Sequence, residues 1–204
     1  KYWGNEFMKK VFRILLLLLI ASIYVSGAER NEKYYDVEVR EDKLLYKKEE
    51  EKPYSGIVTI TEEDKIIKKE VYENGKLNSA KGYYENGNIK WESTSYKDGK
   101  LDGISRIYYD NGQLKMETNY KDGEKDGIEK GYQENGKIIA ELNYKNDCLH
   151  GTSKFYDKNG NLEHEQNYKE YVLHGIERIY EKGKVILERE YKDGDIVSSK
   201  NLNE

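Results

Sequence analysis

A chain of 204 residues with 36% charged side chains and a mean hydropathy of −1.00 has a composition close to that of disordered proteins. Its 20 tyrosines and 12% aromatic content argue against disorder, because tyrosine buries an apolar ring while its hydroxyl stays in water. The formal net charge of −4 and the single cysteine, Cys148, exclude a strongly basic nucleic-acid binder and an intramolecular disulfide.

The first predicted element is a cleaved signal peptide within residues 1–28. Basic residues follow a start at Met8 and precede an apolar run over residues 14–25, and small residues through Ala28 form an A-x-A-like cleavage site. The run is short for a membrane span and no stop-transfer pattern follows it, so we predict cleavage rather than anchoring. Residues 1–7 are interpreted as an upstream extension.

Removal of residues 1–28 leaves 31 Lys and Arg against 38 Asp and Glu, a formal charge of −7. No cysteine lies near the cleavage site to receive a lipid. We therefore predict an exported protein, located in the periplasm, at the cell surface or outside the cell, without a stable membrane span after cleavage. A mildly acidic protein is a poor ligand for nucleic acid, so we expect no nucleic-acid partner.

The next predicted element is a strand cap over residues 29–52. Residues 34–40 and 43–47 have the pattern of a short strand pair, and capping explains them without a functional site. A repeat array is predicted over residues 53–197, with a C-terminal tail over residues 198–204.

The repeat array is recognised by a fixed interval of 24 residues. Two residue types keep this interval, namely Tyr72, Tyr96, Tyr120, Tyr144 and Tyr168, and Gly103, Gly127, Gly151 and Gly175. An interval held through two residue types indicates tandem copies of one supersecondary unit. Tyr96, Tyr120, Tyr144 and Tyr168 are predicted to form a shallow core, and the glycines to be strand positions covered by a neighbouring aromatic ring.

Each repeat is predicted to be a β-hairpin. In one copy a β-prone run from Gly103 is followed by Asn111-Gly112, a second run to Tyr120 and Asp122-Gly123. Asn-Gly and Asp-Gly pairs tolerate the positive φ of tight hairpin turns. The predicted fold is all-β, an elongated single-layer antiparallel sheet of tandem hairpins with a repeat of about 24 residues.

Three departures from the repeat carry local expectations. One extra residue before Tyr96 predicts a β-bulge within residues 88–95. Asp147 and Tyr171 stand where other repeats have glycine, so their turns are predicted to differ in backbone conformation.

No catalytic or metal site is predicted. His150 and His174 lie one repeat apart, roughly 9–10 Å across two strand spacings, which is too far for one metal ion. They are interpreted as turn-packing residues interchangeable with Asp102 and Asp126. The recurring carboxylates are predicted to pair with Lys or Arg on adjacent strands; these are Glu117, Glu141, Glu165 and Glu188.

Equivalent carboxylates lack the unequal environments that an acid and a nucleophile require, so an enzyme is not predicted. Cys148 is interpreted as a structural thiol, and no cofactor is expected. Four aromatic residues are predicted as a binding surface: Tyr84, Trp91, Tyr108 and Tyr109.

The repeat resembles the MORN-repeat variant family over about residues 53–197. The shared pattern is Gly, four residues, Tyr, then Asn-Gly, an aliphatic residue, Glu and Tyr-Lys-x-Gly, with entries such as Leu149-His150-Gly151. The resemblance implies a twisted sheet of hairpins without a common catalytic site, and relatives in bacterial exported and toxin–antitoxin-associated proteins.

The predicted function is a non-enzymatic exported scaffold that binds a protein or glycan. An antitoxin-like or immunity protein that caps a cognate toxin is the alternative, and a glycan-processing enzyme is the third hypothesis.

Overall fold

The computed structural model describes residues 37–202, which form strands, turns and irregular segments. None of these residues belongs to a helix that could cross a membrane. The predicted signal peptide lies outside the described residues. The first eight strands are β1 (Val37–Val39), β2 (Leu45–Lys47), β3 (Gly56–Glu62), β4 (Lys65–Glu73), β5 (Lys76–Tyr83), β6 (Ile89–Ser93), β7 (Tyr96–Lys97) and β8 (Lys100–Leu101).

The other strands repeat one pattern of long and short elements. They are β9 (Gly103–Tyr108), β10 (Leu114–Lys121), β11 (Glu124–Tyr132), β12 (Ile138–Lys145), β13 (Cys148–Leu149), β14 (Gly151–Tyr156), β15 (Leu162–Lys169), β16 (Val172–Leu173), β17 (Gly175–Glu181), β18 (Lys184–Lys192) and β19 (Asp195–Asn201).

One antiparallel sheet contains 15 of the strands. Its order is β3-β4-β5-β6-β9-β10-β11-β12-β14-β15-β17-β18-β19, with the short strands β13 and β16 paired to β12 and β15. Neighbours in the sheet follow the order of the chain, as expected when consecutive hairpins pair side by side. The predicted all-β class and the sheet of tandem antiparallel hairpins are confirmed.

The N-terminal strands β1 and β2 form a separate two-stranded sheet that leads into the array. Leu45 and Tyr46 of β2 are buried. The Leu45 amide donates to the carbonyl of Gly75 at 2.9 Å, and the Gly75 amide donates to the carbonyl of Tyr54 at 2.8 Å. These hydrogen bonds hold the segment before β3 against the β4–β5 turn. At the other end, β19 continues to Asn201, so the sequence-based end of the array at residue 197 falls inside a strand.

The prediction that the Asp147 and Tyr171 turns differ in conformation is wrong. Both residues keep the positive φ of the glycines they replace, 63° and 67° against 87° for Gly123. The two-residue hairpin connection requires positive φ at both central positions, and this demand overrides the residue type. Each turn is also tied to the previous repeat, since the amides of Asp147 and Tyr171 donate to the carbonyls of Lys125 and Leu149 at 2.9 and 3.0 Å.

The predicted aromatic cover over the repeat glycines is also wrong. Gly127 lies opposite Tyr144 in the ladder, but a Cβ at Gly127 would meet the Cβ of Asn119 at 3.2 Å instead of a ring. Asn119 Nδ2 donates to the carbonyl of Ile128 at 2.7 Å. Gly103, Gly151 and Gly175 share the positive φ of Gly127, so a backbone requirement, together with the nearby polar side chain, explains the conserved interval.

The predicted β-bulge within residues 88–95 is present, because the register of β6 with β5 shifts between Ile89 and Trp91. The same shift recurs in β12 and β15, so the extra residue before Tyr96 does not cause it and lies instead at a strand break. β6 ends at Ser93 and β7 begins at Tyr96, and β7 pairs only with β8. Thr94 bridges the gap, because its amide donates to the carbonyl of Ile104 at 2.9 Å. The added residue is therefore absorbed between two strands, and the register of β6 with β9 is kept.

The register gives a test by deletion. Removing residues 103–126 joins Asp102 to Gly127, the equivalent of Gly103, so a shorter sheet with correct pairing is expected to form. Removing only residues 103–112 deletes one strand of a hairpin and turns the side chains of its neighbour to the wrong partners. Circular dichroism and thermal melting should show a cooperative β protein for the first variant alone. Equal loss of structure in both would contradict the array.

Candidate functional site

The two faces of the sheet carry different rows of side chains that run across the strands. The first, here called the buried row, consists of Val58, Glu70, Ala80, Ser93, Ser105, Thr118, Glu129, Leu142, Ser153, Gln166, Glu177 and Arg189. The second, here called the charge ladder, consists of Lys81, Glu92, Arg106, Glu117, Lys130, Glu141, Lys154, Glu165, Arg178, Glu188 and Lys200. Adjacent residues of a strand point to opposite faces, so the two rows lie on opposite faces.

The buried row is mostly small or polar. Ser153 is 0% exposed, and Ala80, Thr118 and Glu177 are also buried. Small side chains let their larger neighbours close over the middle of the strands. The Ser153 hydroxyl is the one buried side-chain group in residues 37–202 that has no hydrogen-bond partner.

Glu177 is a buried carboxylate at the centre of a hydrogen-bond cluster. It accepts hydrogen bonds from Gln166 Nε2 at 2.7 Å, from Arg189 Nη1 at 3.1 Å and from the Tyr191 hydroxyl at 3.1 Å. Burial opposes its ionisation, but the hydrogen bonds from Gln166, Arg189 and Tyr191 outweigh burial, and the pKa of Glu177 lies below its usual value. The carboxylate is therefore held in its charged form as part of the fold.

Glu129 has a similar setting two repeats earlier. The Thr118 hydroxyl donates to its carboxylate at 2.8 Å, and the Lys125 ammonium contacts the same carboxylate while lying 4.7 Å from the centre of the Tyr144 ring. The pKa of Tyr120 is raised to about 12, mainly because the side chain is buried and also because Glu129 is negatively charged. Burial also raises the pKa of Tyr144. Both tyrosines remain neutral at physiological pH.

The tyrosines predicted as a shallow core are half-buried. Tyr120, Tyr144 and Tyr168 lie on the face of the buried row, two residues along the strand from Thr118, Leu142 and Gln166. The Tyr168 hydroxyl donates to Gln166 Oε1 at 2.7 Å. Tyr96 is half-buried as well but belongs to the small β7–β8 sheet. The repeat tyrosines thus flank the buried row and close its side.

The predicted pairing of the recurring carboxylates with cations on adjacent strands is confirmed. Glu117 accepts from Arg106 Nε at 2.7 Å, and Glu141 lies 3.4 Å from Lys130 Nζ. Arg178 bridges two carboxylates, with contacts of 3.6 Å to Glu165 and 2.9 Å to Glu188.

Tyrosine hydroxyls complete the charge ladder. They donate to its carboxylates in three equivalent pairs, Tyr108 to Glu92 at 2.8 Å, Tyr156 to Glu141 at 3.2 Å and Tyr180 to Glu165 at 3.1 Å. Repeated pairs with the same partners give these carboxylates equivalent surroundings, as in a structural ladder.

The four aromatic residues predicted as a binding surface are not on one face. Trp91 shares the face of the buried row and packs against Gly82, whereas Tyr108 lies on the charge-ladder face. The hydroxyls of Tyr84 and Tyr109 donate to the carbonyls of Tyr108 and Tyr132, both at 2.7 Å. All four have structural contacts, and their role in binding stays a prediction.

His174 contacts a turn, as the predicted turn-packing role requires. His174 Nδ1 accepts from the Asp193 amide at 3.4 Å, and Asp102 Oδ2 accepts from the Asp122 amide at 3.3 Å. Histidine and aspartate at equivalent positions thus both accept a hydrogen bond from the backbone amide of a turn residue. Within residues 37–202, no three His, Cys, Asp or Glu side chains are grouped as a metal ion requires.

One shallow depression lies on the charge-ladder face, with a volume of about 280 Å³. It is lined by Ile128, Glu141, Asn143, Thr152, Lys154 and Glu165. Sequence reasoning missed it, because its lining comes from β11, β12, β14 and β15, which only the pairing of two consecutive hairpins brings together.

The Glu177 cluster generates a pH prediction. A lowered pKa means that Glu177 contributes stability above its ordinary pKa of 4.5 and loses that contribution as the pH falls below it. Glu177→Gln should lower the free energy of unfolding by about 1–3 kcal/mol at neutral pH, because it disturbs a buried charged acceptor. Urea unfolding at about pH 7 and about pH 3 should show a smaller pH dependence for this variant.

The matched control is Glu190→Gln, a substitution at an exposed carboxylate of the neighbouring strand β18. It should follow the unsubstituted protein at both pH values. A pH dependence that Glu177→Gln leaves unchanged would contradict the assigned role.

Comparison with known families addresses the repeats directly. The MORN repeat variant model matches residues 101–122, 125–146 and 149–170, three segments that start 24 residues apart. No curated protein matches the chain. The resemblance seen in the sequence is confirmed for these three repeats, and each matched segment contains the two long strands of one hairpin and the turn between them. Residues 101–170 therefore contain three tandem MORN repeat variants.

Proposed function

We propose that the protein is a non-enzymatic exported scaffold that binds another protein or a glycan at the cell envelope or outside the cell. The observation that carries this proposal is the array itself. MORN repeats suggest a repeat scaffold for binding, and here three matched repeats present equivalent side chains at regular spacing. Equivalent side chains on neighbouring repeats offer the same contact several times, and a partner that binds several repeats at once gains affinity from this repetition.

The arrangement of the carboxylates supports a non-enzymatic function. Glycoside hydrolysis needs two carboxyl groups with different protonation states. Glu141 and Glu165 are each held by a cation and a tyrosine hydroxyl, and their surroundings are alike. Two groups in equivalent surroundings do not divide into an acid and a nucleophile.

The aromatic residues supply the most direct anchors for such a partner. Trp91 and Tyr108 lie on opposite faces, so one partner that binds one face is expected to depend on one of them more than on the other. Tyrosine and tryptophan are common anchors in interfaces because they add large contact areas at low entropic cost.

The export prediction rests on the sequence of residues 1–28. The mature chain is expected to begin near Glu29, because small residues through Ala28 match a signal-peptidase site. N-terminal sequencing of the protein recovered from producing cells checks this. An intact Met8 on protein in the cytoplasm would remove the envelope location and favour the antitoxin alternative.

Binding is predicted to be distributed and to favour one face. Partners captured from envelope extracts and from a glycan panel should bind Trp91→Ala and Tyr108→Ala with unequal, partial losses of about tenfold or less. Tyr84→Phe and Tyr109→Phe remove one structural hydroxyl each and control for local destabilisation, with melting temperatures measured for every variant.

Two results would contradict the scaffold. One is the absence of any captured partner. The other is a measurable glycan-cleaving turnover that Glu141→Gln abolishes while glycan binding survives, which would assign the third hypothesis instead.

A further inference from the structure

Two cations of the charge ladder, Lys154 and Lys200, make no ion pair within residues 37–202. Lys200 is exposed and has one ladder neighbour, Glu188, whereas Lys154 lies between two carboxylates. Arg106 and Arg178 each contact two carboxylates, and Lys81 and Lys130 contact one. Lys154 is flanked in register by Glu141 and Glu165, yet within residues 37–202 its ammonium makes no ion pair and no hydrogen bond.

The flanking carboxylates are already engaged. Glu141 lies 3.4 Å from Lys130 Nζ and accepts from the Tyr156 hydroxyl, while Glu165 is held by Arg178 and the Tyr180 hydroxyl. A lysine offers three donors, and those of Lys154 have no direct acceptor. Lys154 is therefore the one half-buried cation of the ladder, within residues 37–202, that has no ion pair.

This position lies in the depression. Its remaining wall is Ile128, which is 41% exposed. Its polar floor is fixed, because the Asn143 amide donates to the Thr152 carbonyl and the Thr152 hydroxyl donates to Asn167 Oδ1 at 2.7 Å. The depression thus combines the exposed Ile128 side chain and the unpaired Lys154 cation with polar side chains that hydrogen bonds hold in place.

The size and lining of the depression indicate what fits there. Its volume of about 280 Å³ is below the range of about 300–1,000 Å³ that is usual for small-molecule pockets. None of its six lining residues is aromatic, so it has no ring on which a sugar could stack. A ligand that matches this lining has a carboxylate beside an aliphatic group. A protein supplies both when an Asp or Glu side chain lies next to an aliphatic side chain.

We propose that the depression around Lys154 is a docking site for a protein partner, which places an Asp or Glu carboxylate on the Lys154 ammonium and an aliphatic side chain against Ile128. The proposal rests on the binding function proposed above and names one site and one partner chemistry for it. Charge complementarity carries the choice of partner, because the added carboxylate pairs with a half-buried cation that no carboxylate of the described residues contacts.

Lys130 provides a matched control. It lies one repeat before Lys154, at the equivalent ladder position, but it is paired with Glu141 and does not line the depression. Lys154→Gln and Lys154→Met remove the proposed contact, Lys154→Arg keeps the charge, and Lys130→Gln removes the same charge one repeat away.

The test is selection of a displayed library of random linear peptides against the purified full chain, followed by affinity measurements on the enriched synthetic peptides. Enriched sequences should contain Asp or Glu close to Ile, Leu or Val. Lys154→Gln and Lys154→Met should weaken their binding by about tenfold to a hundredfold, Lys154→Arg should keep binding within about threefold, and Lys130→Gln within about twofold. Circular dichroism and melting temperature should be the same for all four variants.

Several results would overturn the site. These are no enriched peptide, enriched peptides without an acidic residue, or equal losses for Lys154→Gln and Lys130→Gln. Lys154-dependent binding of uronic-acid oligosaccharides in place of peptides would overturn the protein partner. Captured envelope partners that bind Lys154→Gln normally would remove this site and leave the scaffold function standing.

Discussion

Backbone pairing between neighbouring hairpins is the constraint on which both faces of the sheet depend. The second strand of each hairpin pairs with the first strand of the next, as Glu141 does with Lys154, and this register places every charge of the ladder beside an opposite charge. A slip by one residue would turn the buried row outward. The turns reinforce the register, because the Gly123 and Gly194 amides donate to the carbonyls of Leu101 and Leu173 in the preceding repeat.

The sheet satisfies its two faces by different means. On one face, small polar side chains allow burial without a large apolar core. The buried apolar residues within residues 37–202 are few: Val58 and Ala80 in this sheet, and Leu45 and Tyr46 in the separate strand β2. The unpartnered Ser153 hydroxyl costs about 1–3 kcal/mol on that face. On the other face, partly exposed ion pairs contribute about 0–1 kcal/mol each. Stability is consequently spread over many weak contacts that recur with the repeat.

The periodic features were accessible from the sequence, and the local ones were not. The interval between Tyr120 and Tyr144 led to the hairpins, and the recurrence of Glu117 and Glu141 led to their ion pairs. The turn at Tyr171 was predicted wrongly, because residue preference was set above the demand of a two-residue connection. Asn119 and Lys154 gave no signal, since their roles depend on which strand lies beside them and on which neighbours are already paired.

Trp91 gives the array a natural reporter. The sequence contains two tryptophans, Trp3 and Trp91, and the first lies in the segment predicted to be removed. Indole emission of the mature protein would then come from the β5–β6 hairpin, where the ring covers Gly82, whereas tyrosine emission comes from every repeat. Arrays of repeats often unfold by fraying from one end. Comparing the two emissions during heating separates loss of this hairpin from melting of the array as one unit.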